Sequence, residues 1–238
     1  MAEKYIGTEL DLFAEARTWK RYWSGVLRPY LGSHVLDVGA GIGGTAKLYS
    51  DINSERYLAL EPDPALCLRM RDEVQTGVFP PNFEVVTGTL QSLDEASRFD
   101  TILYIDVLEH IELDRVELEQ ASRMVSPGGR LVVLSPAHQW LYSEFDAAIG
   151  HFRRYNRVSL THLKPDSLQL ERIFYLDCVG MMASLANRML LKASSPSTQQ
   201  ISLWDRHMVP VSRRLDPLFS HRLGKTIVAI FKRPAKLD

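Results

Sequence analysis

Short apolar runs rich in β-branched residues alternate along the chain with longer stretches in which apolar residues recur at helical spacing. The runs predict strands at 34–39 (HVLDVG), 56–62 (RYLALEP), 82–89 (NFEVVTGT), 99–107 (FDTILYIDV) and 129–137 (GRLVVLSPA). Between them a helix is expected over Pro64 to Gln75, with proline in its first turn, and another over Asp114 to Met124. The latter closes before Ser126-Pro127-Gly128-Gly129, which reads as a turn. A further strand is expected within Leu168 to Tyr175, and TIVAIFK at 226–232 reads as the closing strand. SSPSTQQ at 194–200 reads as a mobile connection. Before the first strand, the spacing of Phe13, Trp19, Tyr22 and Trp23 suits an amphipathic helix placed to cap a cleft. Strands alternating with helices predict an α/β fold: a Rossmann-like, seven-stranded, mostly parallel sheet with helices on both faces.

Bulk composition narrows the function classes. The chain has 238 residues, 45% hydrophobic and 24% charged, enough to bury the core of one large domain over 1–238. Lysine plus arginine (28) nearly balance aspartate plus glutamate (29), which argues against a surface organised around nucleic-acid phosphates. Cys67 and Cys178 show no zinc or disulfide spacing. The charged amino terminus lacks the apolar centre of a secretion signal, and no uncharged run approaches the roughly 20 apolar residues of a membrane span. The expectation is a cytoplasmic protein.

Candidate chemistry gathers first around VLDVGAGIGGTAKL. This is a strand, a glycine-rich turn and a helix beginning near Gly44 or Thr45, where the backbone turns sharply and approaches a ligand closely. Gly39, Gly41 and Gly44 fit G-x-G-x-x-G, and Glu61, 22 residues after Gly39, is placed to grip a ribose diol. A nicotinamide-dependent oxidoreductase would use the same geometry, and a non-catalytic nucleoside-binding module would keep it too. Asp37, two positions before the first glycine, tilts the choice: its carboxylate opposes a pyrophosphate and suits a ligand that carries an ammonium.

The ordered series VLDVGAGIGG, LALEPD, FDTILYIDVLEHI and SPGGRLVVLSP resembles the class I S-adenosylmethionine-dependent methyltransferases across most of residues 30 to 137. The resemblance implies S-adenosylmethionine as cofactor. It implies that Asp37, Gly39, Gly41 and Gly43 surround the methionine moiety, that Glu61 holds the ribose, and that Asp63 lies near the adenosine. Ile105 and Asp106 border the methionine end. Where such families often carry an acid for the adenine amino group, this chain has Gly88-Thr89-Leu90; Thr89 and the backbone of Leu90 stand in its place.

After the fifth strand, PAHQWLYSEFDAAIGHFRRYNRVSL interrupts the alternation where open α/β sheets place ligand-facing loops. Its GHFRRYN core resembles a segment of a methyltransferase subgroup associated with glycan, lipid or secondary-metabolite pathways. Residues 138–165 and 178–222 are expected to form acceptor-side elements, with a helical cap at 1–30. Trp19, Tyr22, His151, Arg153, Arg154 and Tyr155 are the candidate acceptor contacts; the arginines could hold an anionic group, or one of them could pair with Asp146. His151, His110 and His138 are the candidate bases for a hydroxyl acceptor. No metal is expected, because acids and histidines do not follow a recognised ligand spacing. The methionine-rich CVGMMASLANRMLLK offers an adaptable pocket wall or a peripheral membrane contact, with core packing as its ordinary role. The expected function is methyl transfer, to oxygen or nitrogen, on a small-molecule, glycan-linked or lipid-like acceptor.

Overall fold

A computed structural model describes residues 15–75, 78–79, 82–187 and 197–235. In chain order, helix α1 (Arg17–Leu27) leads into β1 (His34–Val38), the short α2 (Gly44–Leu48), β2 (Arg56–Glu61), α3 (Pro64–Gln75) and β3 (Phe83–Thr87). Then follow β4 (Phe99–Ile105), α4 (Asp114–Met124) and β5 (Val125–Pro136). The remaining elements are α5 (Glu144–Ala148), α6 (Arg157–His162), β6 (Gln169–Leu176), α7 (Cys178–Ala186), α8 (Thr198–Leu203), α9 (Val209–Leu218) and β7 (Thr226–Lys232).

The seven strands form one sheet in the order β3-β2-β1-β4-β5-β7-β6. The first five run parallel, and β7 is antiparallel to both of its neighbours. Side chains along each strand alternate between two cores. On β5, Val132 and Leu134 face the core that contains Trp19, Trp23 and Met70, whereas Leu131 and Val133 face the one that contains Leu118, Met124 and Leu160. Burial on both faces explains why these strands read as near-continuous apolar runs. The expected α/β architecture, with helices on both faces, is therefore present.

Two local expectations differ from the fold. Ser126 to Gly129 does not separate α4 from the fifth strand but lies inside β5: Val125 pairs with Phe99, and the next partners are Arg130 and Thr101. The Pro-Gly-Gly residues therefore make a bulge, with Gly128 at φ 79° and its N–H donating to the Arg233 carbonyl. Of the connection expected at 194–200, residues 194–196 lie outside the described residues. Ser197 caps α8, its hydroxyl accepting from the Gln200 N–H at 3.2 Å. Phe13 likewise lies outside the described residues, as does 1–14 of the expected cap. Among the described residues no helix is long and apolar enough to cross a membrane.

α1 docks on the carboxyl-terminal helices through polar as well as aromatic contacts. The Asp205 carboxylate accepts from the Thr18 and Trp19 amides at 3.1 and 2.8 Å, and Trp19 packs on Trp204 with ring centroids 5.7 Å apart. Buried Asp216 accepts from the Tyr22 hydroxyl at 2.8 Å and from the amides of Asp177 and Cys178. The helix is thus fixed beside the strand ends rather than hanging free.

Candidate active site

The sheet changes winding direction between β1 and β4, and in an open α/β sheet a ligand crevice forms outside the carboxyl ends at such a point. The turn that borders it holds Gly39, Gly41 and Gly43 at φ 64°, 58° and 72°. A Cβ at Gly39 would meet Val107 Cγ2 at 2.7 Å, and one at Gly43 would meet Phe79 at 2.7 Å. Conformation and space both demand glycine there.

Glu61, at the end of β2, ties this turn to the sheet. One carboxylate oxygen accepts from the Gly41 N–H at 2.8 Å and the other from the Asp63 N–H at 2.9 Å, leaving a second lone pair on each. Burial raises its pKa, and those two amides oppose the rise. Asp37 lies within β1 between Ala59 and Leu103 and is 1% exposed. It accepts from the Tyr57 hydroxyl at 3.0 Å. Burial pushes its carboxyl up to about 7, against the Tyr57 bond and with the charge of Glu61 adding to the rise. Asp63 accepts from the Ala65 N–H at 2.7 Å at the start of α3. Thr89 is exposed, and the Leu90 side chain is in the core, so only its backbone faces outward chemistry.

Across the crevice, β4 ends at Ile105, and Asp106 adopts a left-handed φ of 54°. The side chain is exposed. Desolvation by the protein on its flanks nevertheless pushes its pKa up to about 6, opposed by the neighbouring bases His151, Lys225 and Lys20. A 3₁₀ turn at Leu108–His110 follows, with Glu109 fully buried. The Phe152 N–H donates to the Glu109 carbonyl at 2.8 Å, which draws the inserted segment across this turn.

That contact brings His151 to the site. Its Nδ1 is 3.0 Å from Asp146 Oδ1, and Asp146 also takes a two-pronged pair from Arg154 at 2.8 and 2.9 Å. Burial raises the Asp146 pKa, but the bonds from His151, Arg154 and Ser143 outweigh it and hold the group well below the usual carboxylate range. An ionised Asp146 accepts the Nδ1 proton, which fixes the tautomer and leaves the Nε2 lone pair free. Nε2 lies 3.9 Å from Glu109 Oε1, and the His110 ring stands edge-on to His151 with centroids 4.5 Å apart. Burial and His151 push His110 down to about 4, opposed by a hydrogen bond to the Gly150 backbone.

The other expected acceptor residues have partners elsewhere. Arg154 holds Asp146, and Arg153 pairs with Asp114 at 2.6 Å and donates to the Glu112 carbonyl. Tyr155 is 1% exposed and donates to Asp114 at 2.8 Å. His138 bonds the Gly224 carbonyl at 3.1 Å and stacks on Tyr175, apart from the His110–His151 pair. Trp19 and Tyr22 are core residues of the α1 dock. Sequence reasoning passed over Glu109, Lys20 and Lys225, which surround Asp106, and treated Asp146 only as an arginine partner. Glu109 sits beside two named candidates in YIDVLEHI, and only the sequence neighbourhood pointed to it.

A family model described as a methyltransferase domain matches residues 12–174. A ubiquinone/menaquinone biosynthesis C-methyltransferase from Paracoccus denitrificans is 28% identical over 137 residues, covering 54% of this chain and 55% of that protein. A tRNA U34 carboxymethyltransferase from Syntrophotalea carbinolica is 31% identical over 109 residues, 45% of this chain and 33% of that one. The chain spans about half the length of the curated relatives it matches. In fold it is similar to the N-methyltransferase NodS from Bradyrhizobium japonicum in complex with S-adenosylhomocysteine: TM-score 0.56, 16% identity, 98% of this chain and 94% of that chain.

Proposed function

Because the chain belongs to this methyltransferase family, with S-adenosylmethionine as its cofactor, we propose that it transfers the methyl group to an oxygen or nitrogen of a small-molecule or lipid-like acceptor. The residues fit that cofactor on electrostatic grounds. Burial pushes Asp37 up to about 7 and raises Glu61 as well, so two carboxylates near the crevice lack full compensation within the fold. A ligand that carries an ammonium, a sulfonium and two ribose hydroxyls supplies positive charge and donors; a dinucleotide pyrophosphate supplies neither. In this reading Glu61 takes the ribose with its remaining lone pairs, and the turn at Gly39, Gly41 and Gly43 lets the backbone approach. Asp63, with Thr89 and the Leu90 backbone, borders the adenosine; Asp37, Ile105 and Asp106 border the methionine end.

The bound cofactor supplies an electrophilic methyl: the acceptor's lone pair bonds to carbon, the sulfur–carbon pair returns to sulfur, and the acceptor's proton is released. The chain's own contribution is register, exclusion of water and activation of the acceptor. The observation that carries the reading is that the His151 ring, held at Nδ1 by Asp146, stands beside the turn that follows β4, with its Nε2 3.9 Å from Glu109 Oε1. The Nε2 lone pair activates the acceptor's O–H or N–H, and Arg154 positions it through Asp146. His110 flanks the ring, whereas His138 orders the base of the inserted segment. The unit built from α1, α7, α8 and α9 closes the crevice on the acceptor side, with Lys20 reaching toward Asp106.

The test is titration with S-adenosylmethionine and with NAD, then methyl transfer to phenolic, aliphatic hydroxyl, amine and tRNA acceptors; a tRNA-modifying relative keeps nucleic acid in the panel. Selective NAD binding, or transfer to tRNA alone, would overturn the proposal.

A further inference from the structure

A lone histidine base does not account for what surrounds His151. Glu109 is fully buried and one of its oxygens, Oε2, accepts from the Ser135 hydroxyl at 2.8 Å. Its other oxygen, Oε1, has no hydrogen-bond partner among the described residues and points at His151 Nε2, 3.9 Å away. A buried, orphaned carboxylate oxygen is unfavourable unless something occupies the space it faces. His110 is the third group there: ligand atoms of Glu109, His110 and His151 all lie within 4.8 Å of one another.

We propose that Glu109, His110 and His151 hold a divalent first-row transition-metal ion, of which zinc is the reference case, and that this ion, in place of a free His151 lone pair, activates the acceptor. Two imidazole nitrogens and one carboxylate oxygen form a borderline donor set that suits zinc, manganese or ferrous iron and disfavours magnesium, which prefers oxygen ligands. Bonds of about 2.0–2.2 Å put neighbouring ligand atoms roughly 3.3 Å apart, so the three groups need to close by about 1.5 Å at most. Each ligand is already held from behind: His151 by Asp146, His110 by the Gly150 backbone, Glu109 by Ser135. Metal-binding histidines use their second ring nitrogen in this way. Three protein ligands leave a coordination position open toward Asp106 and the crevice. An acceptor hydroxyl bound there would release its proton to solvent near neutral pH and present the anion to the methyl group. Metal binding stands on the geometry alone, whereas this catalytic role rests on the methyltransferase reading.

The experiment uses the full chain, stripped with chelator and dialysed. Isothermal titration with Zn²⁺ should give one site per chain, Mg²⁺ should not compete, and Co²⁺ should produce the visible absorption bands of a low-coordinate site. Glu109→Gln, His110→Gln and His151→Gln should each weaken Zn²⁺ binding at least tenfold while circular dichroism shows an intact fold; Ser135→Ala should weaken it less. Absence of stoichiometric binding, or binding that all three ligand variants leave unchanged, would overturn the site. Metal binding without any binding of S-adenosylmethionine would sink the proposed function and leave the site standing. Methyl transfer by metal-free protein at the rate of the Zn²⁺-loaded form would refute the catalytic role.

Discussion

Asp37 offers the sharpest test of how the crevice is built. Replacing it with asparagine keeps the shape and leaves the Tyr57 hydroxyl an acceptor, but removes a carboxyl that burial holds at about 7 instead of its ordinary 3.8. Between those two pH values the folded chain keeps a proton that the unfolded chain has released. Folded stability therefore falls as pH rises through this window, and the loss is complete above about 7. Three pH units at about 1.36 kcal/mol each put it near 4 kcal/mol. The neutral amide of the variant has no such charge to desolvate. Urea unfolding of the cofactor-free protein should show Asp37→Asn close to wild type at pH 4 and up to about 4 kcal/mol more stable at pH 8. S-adenosylmethionine affinity should move the other way, falling roughly tenfold as the charge proposed to attract the ligand's ammonium is lost. A variant no more stable than wild type at pH 8, or one whose gain is the same at both pH values, would refute the argument that an uncompensated carboxylate is stored beside the site.

Glu61→Ala removes the acceptor for two backbone amides and, on the proposed reading, the ribose contact, so calorimetry should show cofactor binding weaker by roughly 1–3 kcal/mol. His151→Gln should lower kcat at least a hundredfold with the S-adenosylmethionine Kd within twofold of wild type, and Asp146→Asn should move kcat in the same direction by less; equal loss of cofactor affinity would place the inserted segment on the wrong side of the crevice. Asp216→Ala leaves the Asp177 and Cys178 amides and the Tyr22 hydroxyl without their shared acceptor, so the fold should lose about 3 kcal/mol of stability, while Tyr22→Phe costs about 1 kcal/mol. A neutral Asp216→Ala would mean that α1 is not held by that carboxylate.

Local physics made much of this protein legible in its residues. Helices α3 and α4 run over the residues that apolar spacing and proline placement predicted, because their signals are contiguous and the sheet merely reinforces them. The glycine turn was equally plain, since positive φ at Gly39, Gly41 and Gly43 is written into residue type. Where a partner distant in sequence decides the outcome, spacing gave no signal. Ser126 to Gly129 carries turn chemistry, yet pairing of β5 with β4 and a hydrogen bond from Gly128 to Arg233 absorb it as a bulge. Residue type left the arginines of GHFRRYN open between an anionic ligand and Asp146; folding gives Asp146 to Arg154 and brings Asp114, distant in sequence, to Arg153. The grouping of Glu109, His110 and His151 was illegible for the same reason: Glu109 and His110 are adjacent, but their third companion stands 41 residues on from His110. Only the return of the inserted segment across the end of β4 sets His151 against them, because a contact between remote segments is fixed by the packing of the whole sheet and not by any local preference.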